Sequence, residues 1–351
     1  MHNLKLSKSN EELGRIALDG LCEVIPARGI AMQLTPAGSG TPTDSVASRP
    51  LHLHGGECPL DAVAFARLAA HAGSMPNENG FPIVLNRGAT GSADWPFAEI
   101  RQAIFVPVIE GQHHFGWMAA LNHACDGEFG TSEASLMSSV AVILGTHSGN
   151  ILLYQQQAEL TAGIIRALTE AIDAKDQYTC GHSDRVARIA VRLAQEMGCD
   201  MPTVNTIYLA GLLHDIGKIG IEDSVLRKPG KLTPEEYEHI QRHPTIGHRI
   251  LRDIKKLDNI LPIILHHHEA WNGCGYPQKL AAEDIPLPAR IVAVADSYDA
   301  MGSDRPYRKG MPEDKIDAIF QKESGAQWDP AVVAAYFRAK DDLRQIVDDH
   351  R

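Results

Sequence analysis

The chain has 351 residues and a mass of 38.2 kDa, which is too long for one small core and suits two domains of ordinary size. Hydrophobic residues make up 44% and charged residues 22%, and this average globular composition excludes wholesale disorder, collagen-like repeats and a coiled-coil rod. The 44 acidic residues outnumber the 33 basic ones. We therefore expect no nucleic-acid polymer as a partner, because neutralising a phosphate backbone requires clustered Lys and Arg.

Cysteine usage and hydropathy indicate the compartment. The six cysteines form no C-x-x-C pair, which is typical of free thiols in a reducing environment. The first residues contain no apolar signal region, and serines, His147 and Asn150 interrupt the most apolar stretch, Ala134 to Tyr154. These features predict a cytoplasmic protein that does not span a membrane.

The first half of the chain has a mixed pattern of helices and strands. Residues 10 to 34 predict a helix that leads into a strand, and Pro36 to Pro50 predict an excursion over the surface because the segment is rich in Gly, Ser, Thr and Pro. Two apolar runs, Ala103–Ile109 and Phe115–Leu121, are separated by a Glu-Gly-Gln turn and predict a hairpin.

A long helix is predicted after the turn at Asp126 to Gly130. Thr131 or Ser132 can cap its start with Glu133 in the first turn, and apolar residues recur at helical spacing from Leu136 onward. We interpret residues 131–167 as a signalling helix that connects a domain at 1–150 to a domain at 160–351. The continuous stripe also predicts a homodimer formed through this helix.

The order of elements in residues 1–150 resembles a GAF domain. The resemblance depends on the pattern "VPV…G…FGWMAALN", followed by "GEFGTSE" and an exit helix. It implies an α+β sensory domain with a central antiparallel sheet and a pocket for an unknown small effector. The histidines of this region, His113, His114 and His123, are interpreted as surface or loop residues.

Beyond about residue 160 the strand signals stop. Val186, Ile189 and Leu193 lie on one apolar stripe, which predicts an almost entirely helical domain. His182 falls on the same stripe, where a single histidine is more often a hydrogen-bonded core residue than a ligand.

The histidines of this second half are concentrated. Eight of the 17 lie between His182 and His268, together with the pair His214-Asp215 and the run His266-His267-His268-Glu269. Neutral imidazole and ionised carboxylate are good ligands for divalent first-row metals, and a carboxylate can bridge two cations. The concentration predicts a metal site.

Three motifs then make the resemblance specific: "LLHDIGKIGI" at 212–221, "HHEAWNGCGYP" at 267–277 and "VADSYDAMGSDRPYR" at 294–308. Residues 165–338 resemble the HD-GYP family of metal-dependent phosphodiesterases. The resemblance implies hydrolysis of cyclic di-GMP to pGpG, GMP or both. It also implies two divalent metal ions, with iron or manganese expected and zinc, nickel or cobalt admitted by the ligands.

The resemblance also assigns the residues of the site. It implies the metal ligands His182, His214, Asp215 and Asp296, with His243, His267 and His268 completing a second position. Asp215 would bridge the two ions, and Lys218 resembles the catalytic lysine that contacts the phosphate. His239, His248 and His266 are expected to be structural, and Asp299 is expected to cap or to form a salt bridge.

The substrate residues follow from the same motifs. The loop at residues 272–277, the GYP loop, is expected to border the substrate with Tyr276, while Lys218, Arg305 and Arg308 are expected to bind phosphate. Some family members carry Glu four residues before the first histidine ligand and hold a third metal there. Tyr178 occupies that position here, so we expect two metals.

Two other functions share part of this pattern. A different nucleotide phosphohydrolase of the wider HD superfamily would use His182, His214, Asp215 and Asp296, but His243, the HHE run and "RPYR" argue against it. A cyclic di-GMP receptor that binds without cleaving would need the same pocket, but the intact ligand set disfavours it.

Overall fold

The computed structural model describes residues 9–35, 50–75, 81–86, 95, 97–176, 181–303 and 309–349. Tyr178, Arg305, Arg308 and nearly all of the predicted excursion at 36–50 lie outside these residues. The chain divides into two compact units, Met1–Glu159 and Leu160–Arg351.

The first unit is built on one antiparallel sheet. Within the described residues the sheet has five strands, β1 (Ala27–Leu34), β2 (Leu51–Gly56), β3 (Ile83–Leu85), β4 (Ala103–Glu110) and β5 (His113–His123), in the spatial order β2-β1-β5-β4-β3. The predicted hairpin is confirmed, since β4 and β5 pair from Ala103 opposite Leu121 to Glu110 opposite His113. The predicted helix and strand at 10–34 are confirmed as α1 (Asn10–Val24) and β1.

Helices cover both faces of this sheet, because successive side chains of a strand point to opposite faces. Ile104 and Val106 of β4 pack with residues of α1 and of the long helix α3 (Thr131–Lys175). Phe105, between them, packs on the other face with Phe65 of α2 (Ala62–Ser74). The unit is a small α+β fold with a buried sheet.

The helix α3 has 45 residues and extends past the predicted end at 167. Thr131 is its first residue and not its cap, and the Gly130 N–H donates to Glu133 Oε2 at 3.0 Å. Ala134, Met137, Ala141 and Leu144 are buried against the first unit's sheet, whereas every side chain from 153 to 160 is exposed.

Among the described residues, α3 is also a helix that is long and apolar enough to span a membrane by length and composition. Its best 18-residue window has a mean hydropathy of 1.4, and 33% of that window is buried. Four residues of this helix, Ala134, Met137, Ala141 and Leu144, are buried in the core of the first unit.

The second unit is almost entirely helical, as predicted. Its α-helices after α3 are α4 (His182–Glu196), α5 (Met201–Leu213), α6 (Asp223–Leu226), α7 (Pro234–Ile240), α8 (His243–Leu251), α9 (Leu261–His266), α10 (Leu287–Gly302), α11 (Glu313–Glu323) and α12 (Pro330–Asp348). The described part of the unit also contains three short 3₁₀ helices, Ile216–Gly220, Lys255–Leu257 and Ala282–Asp284. The predicted capping box of α7 is present, with Thr233 and Glu236 exchanging hydrogen bonds ahead of Pro234.

One hydrophobic core holds these helices together. The predicted stripe of α4 is buried, with Val186, Ile189 and Leu193 all at 0% exposure. It packs in the same core as Phe320 and Tyr336 from the C-terminal helices. This core leaves the ends of α4, α5, α8 and α9 to supply polar side chains to one place.

Candidate metal centre

The histidines and carboxylates that the sequence singled out come together at helix ends. His182 and His243 are the first residues of α4 and α8, and His214 and Asp215 follow α5 directly. His267 and His268 follow α9, while Asp296 lies within α10. Six of these seven side chains therefore belong to the first residue of a helix or to residues that directly follow one.

Two glycines allow this convergence. A Cβ on Gly217 would lie 1.8 Å from the His243 carbonyl oxygen, so only glycine lets the 3₁₀ helix after Asp215 touch the start of α8. A Cβ on Gly211 would lie 2.6 Å from the Ala187 Cα, where α5 crosses α4. These backbone contacts bring Asp215 next to His243 and His214 next to His182.

The Asp215 carboxylate lies between two groups of histidines. Its Oδ2 is 3.4 Å from His214 Nε2 and 4.0 Å from His182 Nε2, and its Oδ1 is 3.3 Å from His243 Nε2. Asp296 Oδ1 lies on the same side of Asp215 as His182 and His214, 3.2 Å from His182 Nε2. Each carboxylate oxygen of Asp215 therefore faces its own set of imidazoles.

Both sets have the compactness of a metal site. One ligand atom from each of Asp215, His243, His267 and His268 lies within 4.8 Å of the others, and the same holds for His182, His214 and Asp215. His243 Nε2 and His267 Nε2 are 3.4 Å apart. Asp215 belongs to both sets.

The outward-facing imidazole nitrogens are fixed by backbone carbonyls. Nδ1 of His214, His243 and His267 lies 2.7, 2.8 and 2.8 Å from the carbonyl oxygen three residues earlier. Nδ1 therefore carries the proton, and the Nε2 lone pairs point at one another. His214 Nε2 is buried with no hydrogen-bond partner among the described residues. Converging imidazole lone pairs of this kind fit divalent cations.

His182 is oriented by a carboxylate instead. Its Nδ1 lies 2.7 Å from Asp299 Oδ2, and Asp299 also accepts from Arg185 Nε at 2.7 Å. The expected salt-bridging role of Asp299 agrees with this geometry. A carboxylate behind a histidine is a common arrangement at metal sites, because it fixes the ring and increases its basicity.

Lys218 is held by two carboxylates. Its Nζ lies 2.7 Å from Asp215 Oδ2 and 3.2 Å from Asp176 Oδ2. Burial would lower the pKa of Lys218, but Asp215 and Asp176 outweigh burial and raise it above its usual value. Asp176 was not predicted from the sequence, although it precedes the "QYTCGH" segment by one position.

The local charges set the protonation of the cluster. Burial would raise the pKa of Asp215, but Lys218 and the neighbouring histidines hold it well below its usual range. Burial lowers the pKa of His243 to about 3 and also lowers that of His267 and His268. Burial would lower the pKa of His182 as well, but Asp296 and Asp299 raise it to about 9. The set of Asp215, His243, His267 and His268 therefore combines a carboxylate with neutral imidazoles, as metal binding requires, whereas His182 must release its proton to become a ligand.

Acid should destabilise the metal-free protein from about pH 6.5 downward. Between pH 6.5 and 3 the unfolded chain protonates His243 and the folded chain does not, which costs about 2 kcal/mol at pH 5 for this residue alone. His267 and His268 act in the same direction. His182 does not compensate, because below pH 6.5 it is protonated in both states; its contribution is lost only as the pH rises towards 9.

Urea unfolding with a chelator at pH 5.0 and 6.5 measures this effect. An equal or higher free energy of unfolding at pH 5.0 contradicts the assignment of buried neutral histidines.

The GYP loop borders the cluster. The Tyr276 ring stacks on the His268 ring with centroids 4.9 Å apart, so the predicted substrate residue touches a predicted ligand. The buried Glu269 anchors the loop by accepting from the backbone N–H of Gln278 at 2.7 Å and of Leu280 at 3.1 Å. The predicted phosphate ligands Arg305 and Arg308 lie outside the described residues.

Three other described histidines of this unit belong to neither set. His266 Nδ1 lies 3.5 Å from Glu269 Oε1. His239 belongs to α7 and His248 to α8, and neither is a member of the sets formed by the described residues. Sequence reasoning missed the roles of Asp176 and Arg185, which depend on partners far along the chain, and of Glu269, which depends on the path of the loop that follows it.

Residues 166–332 match the family described as HD domain. A cyclic di-GMP phosphodiesterase of Thermotoga maritima is 41% identical over 185 residues, covering 52% of this chain and 50% of the relative. The cyclic di-GMP phosphodiesterase PA4108 of Pseudomonas aeruginosa is 42% identical over 188 residues, covering 52% and 45%. The 3'3'-cGAMP-specific phosphodiesterase 3 of Vibrio cholerae is 36% identical over 176 residues, covering 50% and 38%.

Residues 166–332 therefore match an HD domain and are similar to cyclic di-GMP phosphodiesterases. HD domains depend on metals, in agreement with the two sets of ligands centred on Asp215. The chain spans about half the length of the first two relatives. The family match begins at residue 166, so the GAF resemblance of residues 1–150 stays a prediction.

Proposed function

We propose that the protein is a metal-dependent phosphodiesterase that hydrolyses cyclic di-GMP to pGpG, GMP or both. The observation that carries this proposal is the position of Asp215, whose two oxygens face separate histidine sets. A carboxylate placed in this way can bridge two cations. Relatives named cyclic di-GMP phosphodiesterases support the substrate.

The proposed ligands of the first cation are His182, His214, Asp215 and Asp296, and those of the second are Asp215, His243, His267 and His268. When bound, two such cations supply Lewis acidity and lower the pKa of water towards neutrality. The nitrogen and oxygen donors suit iron or manganese, and also admit zinc, nickel or cobalt. With Tyr178 in place of a carboxylate, we propose two ions per chain and not three.

The chain's own residues supply the rest of the chemistry. The buried Lys218 keeps its proton, so its ammonium group can stabilise charge on a phosphate oxygen or donate a proton to the leaving oxygen. We propose that Tyr276 packs against the bound nucleotide. We propose Arg305 and Arg308 as phosphate ligands, since a guanidinium group matches two phosphate oxygens.

The proposal is tested by incubating the full chain, loaded with manganese or iron, with cyclic di-GMP and following products by chromatography. We expect pGpG or GMP in the loaded sample and substrate only in a chelated sample. Binding of the substrate without product indicates a receptor. Turnover of simple nucleotides, with cyclic dinucleotides left intact, indicates another nucleotide phosphohydrolase of the HD type.

For the first unit we propose a GAF-like sensory domain over residues 1–150 that binds an unknown small effector and regulates the phosphodiesterase domain at 160–351. The five-stranded antiparallel sheet with helices on both faces supports the GAF resemblance. Residues 131–167 are the proposed signalling helix, since α3 runs without a break from the first unit's sheet into the second unit.

We propose that α3 pairs with its copy in a homodimer. Ile143, Leu153, Leu160 and Ile164 are exposed and lie near the 3.5-residue repeat of a coiled coil. A monomeric mass in light scattering contradicts this pairing. Because part of the apolar surface of α3 is buried in its own unit, we also propose that the protein acts in the cytoplasm without a membrane span.

A further inference from the structure

A cavity of about 320 Å³ opens beside the candidate metal centre. His267 and His268 line one end, and residues of the GYP loop and of the turn between α11 and α12 line the rest. Its volume is within the range of small-molecule sites. A phosphodiester held at the metal centre is therefore adjacent to a space that can accept another part of the same molecule.

The polar wall of this cavity is held in place by the backbone. Glu323 ends α11, and Gln327 lies in the turn that follows. The GYP loop is tied to this turn: the Trp271 N–H donates to the Gln327 carbonyl at 3.1 Å, and the Asn272 N–H donates to the Ala326 carbonyl at 2.9 Å. The side chains of Glu323 and Gln327 are thus presented from a fixed frame.

Several polar groups of the wall are already engaged. Trp328 Nε1 donates to Ser297 Oγ at 3.2 Å, and Ser297 Oγ donates to the Ala293 carbonyl at 2.7 Å. Asn272 Oδ1 accepts from the Cys274 N–H at 3.0 Å. The Trp328 N–H and the Ser297 hydroxyl proton are therefore not available to a ligand.

Glu323 and Gln327 keep their capacity. The Glu323 carboxylate accepts from Lys322 Nζ at 2.8 Å, but the Lys322 side chain is 80% exposed, so this pair is weak and easily exchanged. No side-chain partner of the Gln327 amide occurs among the described residues. Among the described residues that line the cavity, the groups with capacity left for a ligand therefore include one carboxylate and one primary amide.

We propose that this cavity is a guanine subsite, with Glu323 and Gln327 as the residues that determine base specificity. The inference rests on the proposed function and names the base that the substrate must carry. The Watson–Crick edge of guanine offers two donors, N1–H and N2–H, beside one acceptor, O6. The Glu323 carboxylate can accept from both donors, and the Gln327 amide can donate to O6.

Adenine has the opposite pattern. It offers an acceptor at N1, which would face the Glu323 carboxylate without a proton between them, and a site built for hydrogen bonds rejects such an analogue strongly. The base also needs a surface to stack on. Tyr237 lines the same cavity with 52% of its surface exposed, and aromatic rings of this kind stack on bases.

The subsite predicts an order of substrates. Cyclic di-GMP and 3'3'-cyclic GMP-AMP each carry a guanine that can enter, whereas cyclic di-AMP carries none. We expect kcat/KM for cyclic di-AMP to be lower than for the other two by roughly 10- to 100-fold, as for loss of one bidentate base contact. Similar values for all three substrates overturn the proposal.

The experiment compares Glu323→Gln with Asp314→Asn in the metal-loaded full chain. Asp314 is an exposed carboxylate on the same helix and does not line the cavity, so it is the matched control. For each protein, kcat/KM is measured with cyclic di-GMP and with bis(p-nitrophenyl) phosphate, a phosphodiester without a base. We expect E323Q to lower kcat/KM for cyclic di-GMP, relative to kcat/KM for bis(p-nitrophenyl) phosphate, by roughly 10- to 100-fold. D314N should leave this ratio unchanged.

A second variant tests the subsite independently, in case Glu323→Gln does not fold. Gln327 is exposed. Gln327→Glu places a carboxylate opposite the acceptor O6 of guanine, so it should lower kcat/KM for cyclic di-GMP. The ratio of kcat/KM for cyclic di-GMP to that for cyclic di-AMP should fall as well. Unchanged ratios in both variants overturn the subsite while leaving the phosphodiesterase in place. Hydrolysis of bis(p-nitrophenyl) phosphate without turnover of any cyclic dinucleotide overturns the proposed function and the subsite together.

Discussion

Asp215→Asn should lower kcat for cyclic di-GMP on the order of 1,000-fold or more and reduce the metal content below two ions per chain. Asn keeps the size of the side chain but removes the charge that faces His182, His214 and His243. Because both ligand sets share this carboxylate, a single substitution should affect both ions. Metal analysis and a product assay on the same preparation measure the two effects.

The matched control is Asp253→Asn, whose carboxylate is exposed at 89% and lies outside both ligand sets. It should keep two ions per chain and the wild-type kcat. Circular dichroism on both variants shows whether the fold is intact. Wild-type turnover in folded Asp215→Asn, with two ions bound, contradicts the proposed bridging role.

Lys218→Met should lower kcat by roughly 100- to 1,000-fold while two ions stay bound. Met replaces the apolar stem of lysine but cannot stabilise a phosphate oxygen or donate a proton. The effect should fall on kcat more than on KM, since the ammonium group acts where charge develops in the transition state. Steady-state kinetics with parallel metal analysis separates this role from a structural one.

The appropriate comparison for this variant is Lys228→Met, which removes a lysine paired with Glu236 at 2.7 Å away from the ligand sets. That variant should keep the wild-type kcat. If Lys218→Met loses its ions together with its activity, the lysine serves to hold Asp215 in place and its proposed catalytic role is wrong.

Much of the second unit could be predicted from its sequence. The periodicity of apolar residues predicted the helices, and the buried stripe of Val186, Ile189 and Leu193 follows directly from helical spacing. The capping box of Thr233 and Glu236 could also be predicted, because it is a contact between residues close in sequence. The convergence of seven predicted ligands depended on a resemblance between motifs, since no local rule places His182 beside Asp296.

Two of the missed residues, Asp176 and Arg185, share one physical cause. Asp176 and Lys218 are separated by 42 positions, and Arg185 and Asp299 by 114, so only tertiary packing reveals either pair. Glu323 and Gln327 belong to none of the three sequence motifs. The cavity that they line forms between the GYP loop and a turn far along the chain. Charged residues on helix ends look alike in a sequence whether they face solvent or a cavity.

The contacts at Gly211 and Gly217 imply that the frame of the metal centre is independent of its ligands. The main chain, touching itself at two points, sets how far apart the two ligand sets stand. Ligand side chains can then be exchanged during evolution or engineering, altering which metal is preferred, while the scaffold keeps its dimensions. The same close contacts make these two glycines positions at which any larger residue would disturb the metal centre.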